Sequence, residues 1–329
     1  MTEQVPLSAL PEVDQTRDAE LFEELRDPTE RLMDRHMREA HEWVPYELKP
    51  HYYLDPKEKR HYQPWDAEID GFLPVHIRSA LIVNTLTEDN LPEYFHLIAT
   101  HGARGDDKHP FMEWSKQWKT EEARHGHAMD GWVDLTRAVD PVSLQKDRDS
   151  FLRNGETPQP ETVTELLAYT AMQELATLVS HTRTGTELGN EHNGRYHGAR
   201  KMLQVIGRDE GRHHRFYADL AKEAMKKDPS TMMIALGRQM LSFEMPGVGI
   251  PEFRRHAMHI AKSGIYGLPE YRQLVLRPTL RRMEFDSVRP EHLSPEAQLA
   301  QRAIQGYIAD LDTKVPKVLA RRAAQSSRF

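Results

Sequence analysis

The sequence predicts an all-α protein, and three observations carry the prediction. Apolar residues recur at three- and four-residue spacing through long stretches rich in Glu, Lys, Arg, Ala, Leu and Met. Alternating, strand-like runs are scarce. Proline- and glycine-bearing turns fall where one helical pattern stops and the next begins.

Taken in order, the pattern predicts helices over 19–43, 74–101, 110–138, 142–153, 161–187, 192–226, 229–243, 251–263, 268–285 and 294–324. Between the first two, Val44 to Trp65 holds five Tyr or Trp residues and four prolines, which reads as an ordered loop lying over the helices. Asp140-Pro141 separates the third helix from the fourth, and Thr157-Pro158 the fourth from the fifth. Asp228-Pro229 opens the seventh, and Met245-Pro246-Gly247 closes it. Residues 1–18 are expected to be a flexible N-terminal segment, and the basic stretch 319–329 a frayed tail. No Gly/Ser-rich linker divides the chain, so 1–329 reads as one domain.

Composition excludes several classes of function. The 329 residues include no cysteine, which removes a disulfide scaffold, a thiol nucleophile, an Fe–S cluster and Cys-ligated zinc. The longest run of aliphatic, Met and Phe residues, Met232 to Leu236, is far short of the ~20 apolar residues of a membrane span. Met1 to Glu20 is polar and carries acids, unlike a secretory signal, so a soluble, cytoplasmic protein is expected. With 44 Lys and Arg against 51 Asp and Glu, the net charge is −7, a poor balance for nucleic-acid binding.

Two short segments repeat each other. Residues 121–125 read E-E-A-R-H and residues 209–213 read D-E-G-R-H, and each follows a lone glutamate in an apolar helical pattern. Glu88 precedes Glu122 by 34 residues, and Glu174 precedes Glu210 by 36. Such a spacing fits one helix down, a turn and one helix back, so the same antiparallel hairpin is expected twice. On a helix, residues i and i+3 are neighbours, so Glu122 with His125, and Glu210 with His213, can aim at one point. Adding Glu88 and Glu174 brings four carboxylates and two imidazoles into the core of a four-helix bundle, the arrangement of ferritin-like di-iron and di-manganese carboxylate proteins. Four buried carboxylates repel one another and lose their hydration, and two divalent cations neutralise them. Oxygen and nitrogen donors suit iron without excluding manganese.

A single Glu-x-x-His means little in a chain with 18 histidines. Glu58/His61 and Glu93/His96 share the spacing but lack matched flanks. His214 also lies on the face of Glu210, but the first half has no counterpart to it, so symmetry favours His213. His127 points elsewhere, and His181, His192, His197, His256 and His259 read as surface or satisfied core groups.

The segments T-E-D-N-L-P (87–92), W-K-T-E-E-A-R-H-G (118–126), Q-E-L-A-T (173–177) and D-E-G-R-H (209–213) closely resemble the soluble acyl-[acyl-carrier-protein] desaturases of the stearoyl type, in order and in spacing. The resemblance runs from about residue 20 to about residue 320. It implies a ferritin-like four-helix core with flanking helices and two Fe2+ ions per subunit. Glu88, Glu122, His125, Glu174, Glu210 and His213 would be the ligands. Thr177 would sit where O2 binds. Asp209 and Trp118 would support ligands, Asp209 by orienting an imidazole, although plain core packing is an equal reading of Trp118. Gly211 departs from the longer polar residue usual at its place; with Gly194, Gly198 and Gly207 it marks a helix either locally soft or closely approached by a neighbour. The implied reaction is O2-dependent introduction of a cis double bond into an acyl chain on acyl carrier protein. Two electrons would come from a ferredoxin-type donor, since no Gly-rich dinucleotide turn is present. A homodimer is the family expectation. An acidic carrier calls for a basic patch, with Lys57, Lys59 and Arg60, or Arg200 and Lys201, as candidates. The competing readings are a hydroxylase or N-oxygenase on the same scaffold, an iron-storage protein without organic substrate, and an inactive paralogue. Chain length argues against storage, and the intact ligand set against inactivity.

Overall fold

The computed structural model describes residues 5–48, 63–103, 108–154, 160–191, 197–245 and 247–326. Among them there is no strand. The helices are α1 (Gln15–Glu24), α2 (Arg26–Glu39), α3 (Val75–Asp89), α4 (Leu91–Ala103), α5 (Pro110–Thr136), α6 (Pro141–Asn154), α7 (Val163–Asn190), α8 (His197–Lys227), α9 (Pro229–Leu241) and α10 (Phe253–Ser263). A helical stretch follows, made of α11 (Leu268–Glu270), a π-helical turn (Tyr271–Leu276) and α12 (Arg277–Arg282), and α13 (Pro295–Ser326) ends the chain.

Local chemistry sets the helix starts. Asp14 caps α1 by accepting from the N–H groups of Thr16 and Arg17. Thr162 caps α7 by accepting from Glu165 N–H, while Glu165 reaches back to Glu161 N–H at 2.7 Å. Asp228 caps α9, whose first residue is Pro229. In proteins most helical stability comes from tertiary packing, so packing decides the rest.

Three expected helices are interrupted, each at a proline. The 74–101 pattern divides at Asn90, because Pro92 has no N–H to give the carbonyl of Glu88 four residues earlier. That break leaves Glu88 in the last turn of α3. The 19–43 pattern divides at Leu25, where Pro28 likewise cannot serve Glu24. Within 268–285, Pro278 follows the π-helical turn and cannot donate to Leu274.

Among the described residues, 5–18 include buried side chains and 319–326 are helical. Leu10 and Val13 are buried, and Asp18, fully enclosed, accepts from Val163 N–H and Thr164 N–H at 2.9 Å and from Thr164 Oγ1 at 2.6 Å. The segment up to residue 18 thus holds the start of α7. At the other end α13 stays helical to Ser326, because Arg322 makes a two-pronged ion pair with Glu270 at 2.8 Å.

Four helices form the central bundle, packed in a ring as α3 on α5, α5 on α8, α8 on α7 and α7 on α3. The α7–α8 seam is the most extensive, with α2 laid across α5 and α8, α9 packed on α7 and α8, and α13 packed on α9. Glycine lets α7 and α8 approach closely. A Cβ at Gly207 would lie 2.6 Å from Thr182 Cγ2, and one at Gly211 2.9 Å from Leu178 Cδ1. Close approach, not softness, explains these two glycines. Among the described residues no helix is long and apolar enough to cross a membrane.

Candidate metal centre

The bundle brings the six expected residues to one buried place. Glu88 comes from α3, Glu122 and His125 from α5, Glu174 from α7, and Glu210 and His213 from α8, and none is more than 9% exposed. Their donor atoms fall into two groups, each gathered within 4.8 Å: Glu88, Glu122, His125 and Glu210 in one, Glu122, Glu174, Glu210 and His213 in the other. Glu122 and Glu210 belong to both. Glu122 Oε2 lies 3.3 Å from His125 Nδ1, and its Oε1 lies 2.8 Å from His213 Nδ1. Glu210 does the converse, with Oε1 3.5 Å from His125 Nδ1 and Oε2 3.9 Å from His213 Nδ1. Two carboxylates therefore span both halves, while Glu88 and Glu174 each serve one.

The chemistry of these atoms fits two cations. His125 Nδ1, His213 Nδ1, Glu122 Oε1, Glu174 Oε2 and both oxygens of Glu210 are buried and face one another, and none has a hydrogen-bond partner outside the cluster. Unsatisfied buried acceptors cost ~1–3 kcal/mol each, so such a cluster calls for a ligand that takes lone pairs. Burial pushes Glu174 well above the usual carboxylate range and Glu88 up to about 7. Burial would lower both imidazoles, but Glu122 beside His125 and Glu174 beside His213 outweigh it and hold them well above the usual histidine range.

The repeated acid before each Glu-x-x-His now has a purpose that crosses between halves. Asp209 Oδ2 stands 3.3 Å from Nε2 of His125, and Glu121 Oε2 stands 2.8 Å from Nε2 of His213. Each acid orients the imidazole of the opposite half, leaving Nδ1 to face the cluster. Asp209 also accepts from Trp43 Nε1 at 2.7 Å and from Arg212. Glu121 also accepts from His36 Nε2 at 3.0 Å and from Gln117 Nε2 at 2.6 Å. Burial would raise Glu121, but His213 and His36 hold it far below the usual range. Burial lowers His36 in turn.

Trp118 does more than pack, since its Nε1 donates to Glu174 Oε1 at 2.8 Å. Thr177 lies beside the cluster, but its hydroxyl donates back to the carbonyls of Glu174 (2.9 Å) and Gln173 (3.2 Å), which leaves it able only to accept. His214 donates from Nδ1 to Ala171 O at 2.7 Å and stays out of the cluster; burial lowers it to about 4. Glu93, His96 and His127 are exposed, and His256 and His259 both meet Ser79 Oγ. His181 is a core group, and its Nε2 lies 2.9 Å from Glu88 Oε1. Among the docking candidates, Lys201 is exposed and Arg200 lies against Gly189 of α7, and neither lines the cavities below. Lys57, Lys59, Arg60, Glu58, His61, His192, Gly194 and the side chain of His197 lie outside the described residues.

Sequence reasoning missed Glu121, His36, Trp43 and His181. Only Glu121 carried a signal, as the acid matching Asp209 in the repeat.

Two cavities meet at Thr87 and Thr177, and the smaller of them reaches the cluster. One, of about 230 Å³, has mostly apolar walls including Val83, Met245, Phe253, Ile260 and Tyr266. The other, of about 30 Å³, touches Glu88, Glu122 and Glu210 and runs past Trp118 to Tyr94 and Tyr169. Thr87 and Thr177 line both. A third cleft, about 210 Å³ between α3, α6 and α10, includes none of the six residues.

Comparison with known proteins places these features in context. The pattern of the family described as "Fatty acid desaturase" matches residues 17–328. DesA1 of Mycobacterium tuberculosis, provisionally named an acyl-[acyl-carrier-protein] desaturase, is 32% identical over 282 residues, spanning 80% of this chain and 78% of its own. The acyl-[acyl-carrier-protein] 6-desaturase of Thunbergia alata is 28% identical over 316 residues (86% and 78%). The chloroplastic stearoyl-[acyl-carrier-protein] 9-desaturase of Solanum tuberosum is 26% identical over 329 residues (93% and 78%). The X-ray structure of DesA2 from M. tuberculosis H37Rv, also a provisional acyl-carrier-protein desaturase, superposes with a TM-score of 0.63 at 22% identity, covering 83% of this chain and 99% of that one, and shows the same fold.

Proposed function

Because the chain belongs to the fatty acid desaturase family, we propose that it is an O2-dependent di-iron desaturase that introduces a cis double bond into an acyl chain carried on acyl carrier protein. The observation that carries this reading is the pair of four-residue donor groups sharing Glu122 and Glu210, beside a small cavity that shares Thr87 and Thr177 with a larger apolar one. Glu88, Glu122, His125 and Glu210 would hold one iron, and Glu122, Glu174, Glu210 and His213 the other. The irons supply O2 activation for removing one hydrogen from each of two adjacent carbons. Reducing O2 to two waters takes four electrons; the two C–H bonds give two, and a ferredoxin-type donor gives the other two. A homodimer and a cytoplasmic location belong to the same proposal.

The chain's own residues do the positioning. The larger cavity takes the acyl chain along apolar walls, which exclude water. Thr87 and Thr177, where the cavities meet, flank the carbons to be oxidised. Thr177, its proton engaged by backbone carbonyls, keeps its oxygen lone pairs free to accept a hydrogen bond beside the place where the irons would stand. Asp209 and Glu121 keep both imidazoles aimed at the cluster through Nδ1.

The test is mass spectrometry of products from a panel of acyl-carrier proteins, with ferredoxin, reductant and labelled O2. A product two hydrogens lighter with no label supports the reading, and label in the organic product overturns it. Elemental analysis should find two irons per chain, lost in Glu122→Ala and Glu210→Ala but kept in Glu58→Ala.

A further inference from the structure

His181 lies on α7, one turn beyond Thr177, with its side chain 1% exposed. Its Nε2 stands 2.9 Å from Glu88 Oε1 and 3.6 Å from Glu210 Oε1, and its Nδ1 is buried without a hydrogen-bond partner. The repeat that relates the two halves does not produce it. Moving back from His181 by the 86 to 88 residues that separate the halves reaches only Glu93, Tyr94 and Phe95.

The opposite half shows what His181 does. Trp118 Nε1 holds Glu174 Oε1 at 2.8 Å, and Glu174 Oε2 turns toward His213 Nδ1 at 3.4 Å. Likewise His181 holds Glu88 Oε1, and Glu88 Oε2 turns toward His125 Nδ1 at 3.9 Å. Each single-sided glutamate thus has one oxygen tied by a ring N–H and one left for the cluster. The two rings come from different helices and differ in kind. An indole N–H only donates and sits at the end of a rigid frame, whereas an imidazole is smaller and its donor nitrogen is set by tautomer.

We propose that His181 is a positioning residue for Glu88. By donating from Nε2 it restrains Glu88 to offer Oε2 alone, and so sets the strength of one cation site, that of Glu88, Glu122, His125 and Glu210, more than that of the other. The inference rests on the two-cation reading above. A neighbour that orients a ligand in this way is worth ~10–100-fold in metal affinity.

The experiment titrates the full-length, metal-free chain with Co2+ without oxygen, reading stoichiometry and the two affinities by calorimetry. The wild-type chain should bind two ions. His181→Ala should bind one ion with unchanged affinity and the second about 10–100-fold more weakly. His181→Gln, whose amide N–H can reach the same oxygen, should recover most of the loss. Trp118→Phe should weaken the other ion instead, and it keeps the question decidable if His181→Ala fails to fold. Two wild-type affinities in His181→Ala, equal loss at both sites, or no recovery by Gln would overturn the inference. A wild-type chain binding fewer than two ions would instead overturn the di-metal reading itself.

Discussion

Substitution of Gly207 by Ala tests how closely α7 and α8 are forced together, and so how the helices carrying Glu174 and Glu210 are set. Inside an exposed helix this change would stabilise by ~1 kcal/mol, the propensity difference between the two residues. Here the added methyl would lie 2.6 Å from Thr182 Cγ2. Thr182 cannot easily swing away, because its hydroxyl donates to Leu178 O at 2.7 Å and its β-branch is stiff. Overpacking of this kind costs ~1–3 kcal/mol, so the net effect should be destabilising by up to ~2 kcal/mol. Thr182→Ser removes the obstructing methyl at a cost of ~1 kcal/mol or less, the residue being only half-buried. In that background Gly207→Ala should become stabilising by up to ~1 kcal/mol, a reversal of sign and a coupling of ~1–3 kcal/mol. Urea denaturation of the four metal-free chains reads all of this directly. A Gly207→Ala chain more stable than wild type, or no coupling with Thr182, would refute the close approach.

Three further predictions address chemistry and charge. Thr177→Val should keep both irons and the fold but lower product formed per O2 consumed, by about tenfold if the hydroxyl's hydrogen bond is worth ~1.4 kcal/mol, with peroxide released; wild-type coupling would remove Thr177 from the mechanism. Asp219 Oδ2 accepts from Arg35 at 2.6 Å and from Arg282 at 2.7 Å, tying α8 to α2 and α12. Burial would raise Asp219, but Arg282 and Arg35 hold it below the usual range. The unfolded chain therefore binds this proton more readily, and the stabilisation present above pH ~4 fades as pH falls through the lower folded value. Asp219→Asn should thus cost ~1–2 kcal/mol at neutral pH, reduced by the partial exposure of both arginines, with the loss shrinking toward pH 2; an equal loss at both pH values would discount the ion pairs. Finally, turnover of carrier-bound acyl chains should fall steeply with added salt, since exposed charges are screened over ~8 Å at physiological ionic strength, and salt-insensitive turnover would argue against an acidic carrier.

What the sequence determined by itself was what a single helix can encode. Glu122 with His125 and Glu210 with His213 sit three residues apart, so their shared face follows from helical geometry before any packing is known. The repeat then supplied Glu88 and Glu174, and the buried charge of four carboxylates pointed to cations. Spacing alone could not say how the four helices are rotated and raised against one another. Only that packing made Glu122 and Glu210 the shared pair, crossed Asp209 to His125 and Glu121 to His213, and brought His36 from α2 and His181 from α7 to the cluster. These partners lie up to 93 residues apart along the chain. The termini show the same division: a polar start and a basic end look loose in one dimension. Within them, Asp18 finds the N-terminus of α7 and Arg322 finds Glu270. A side chain's own helix can be read from its neighbours in sequence, whereas its partner across a bundle depends on the orientation that burial of the whole core imposes.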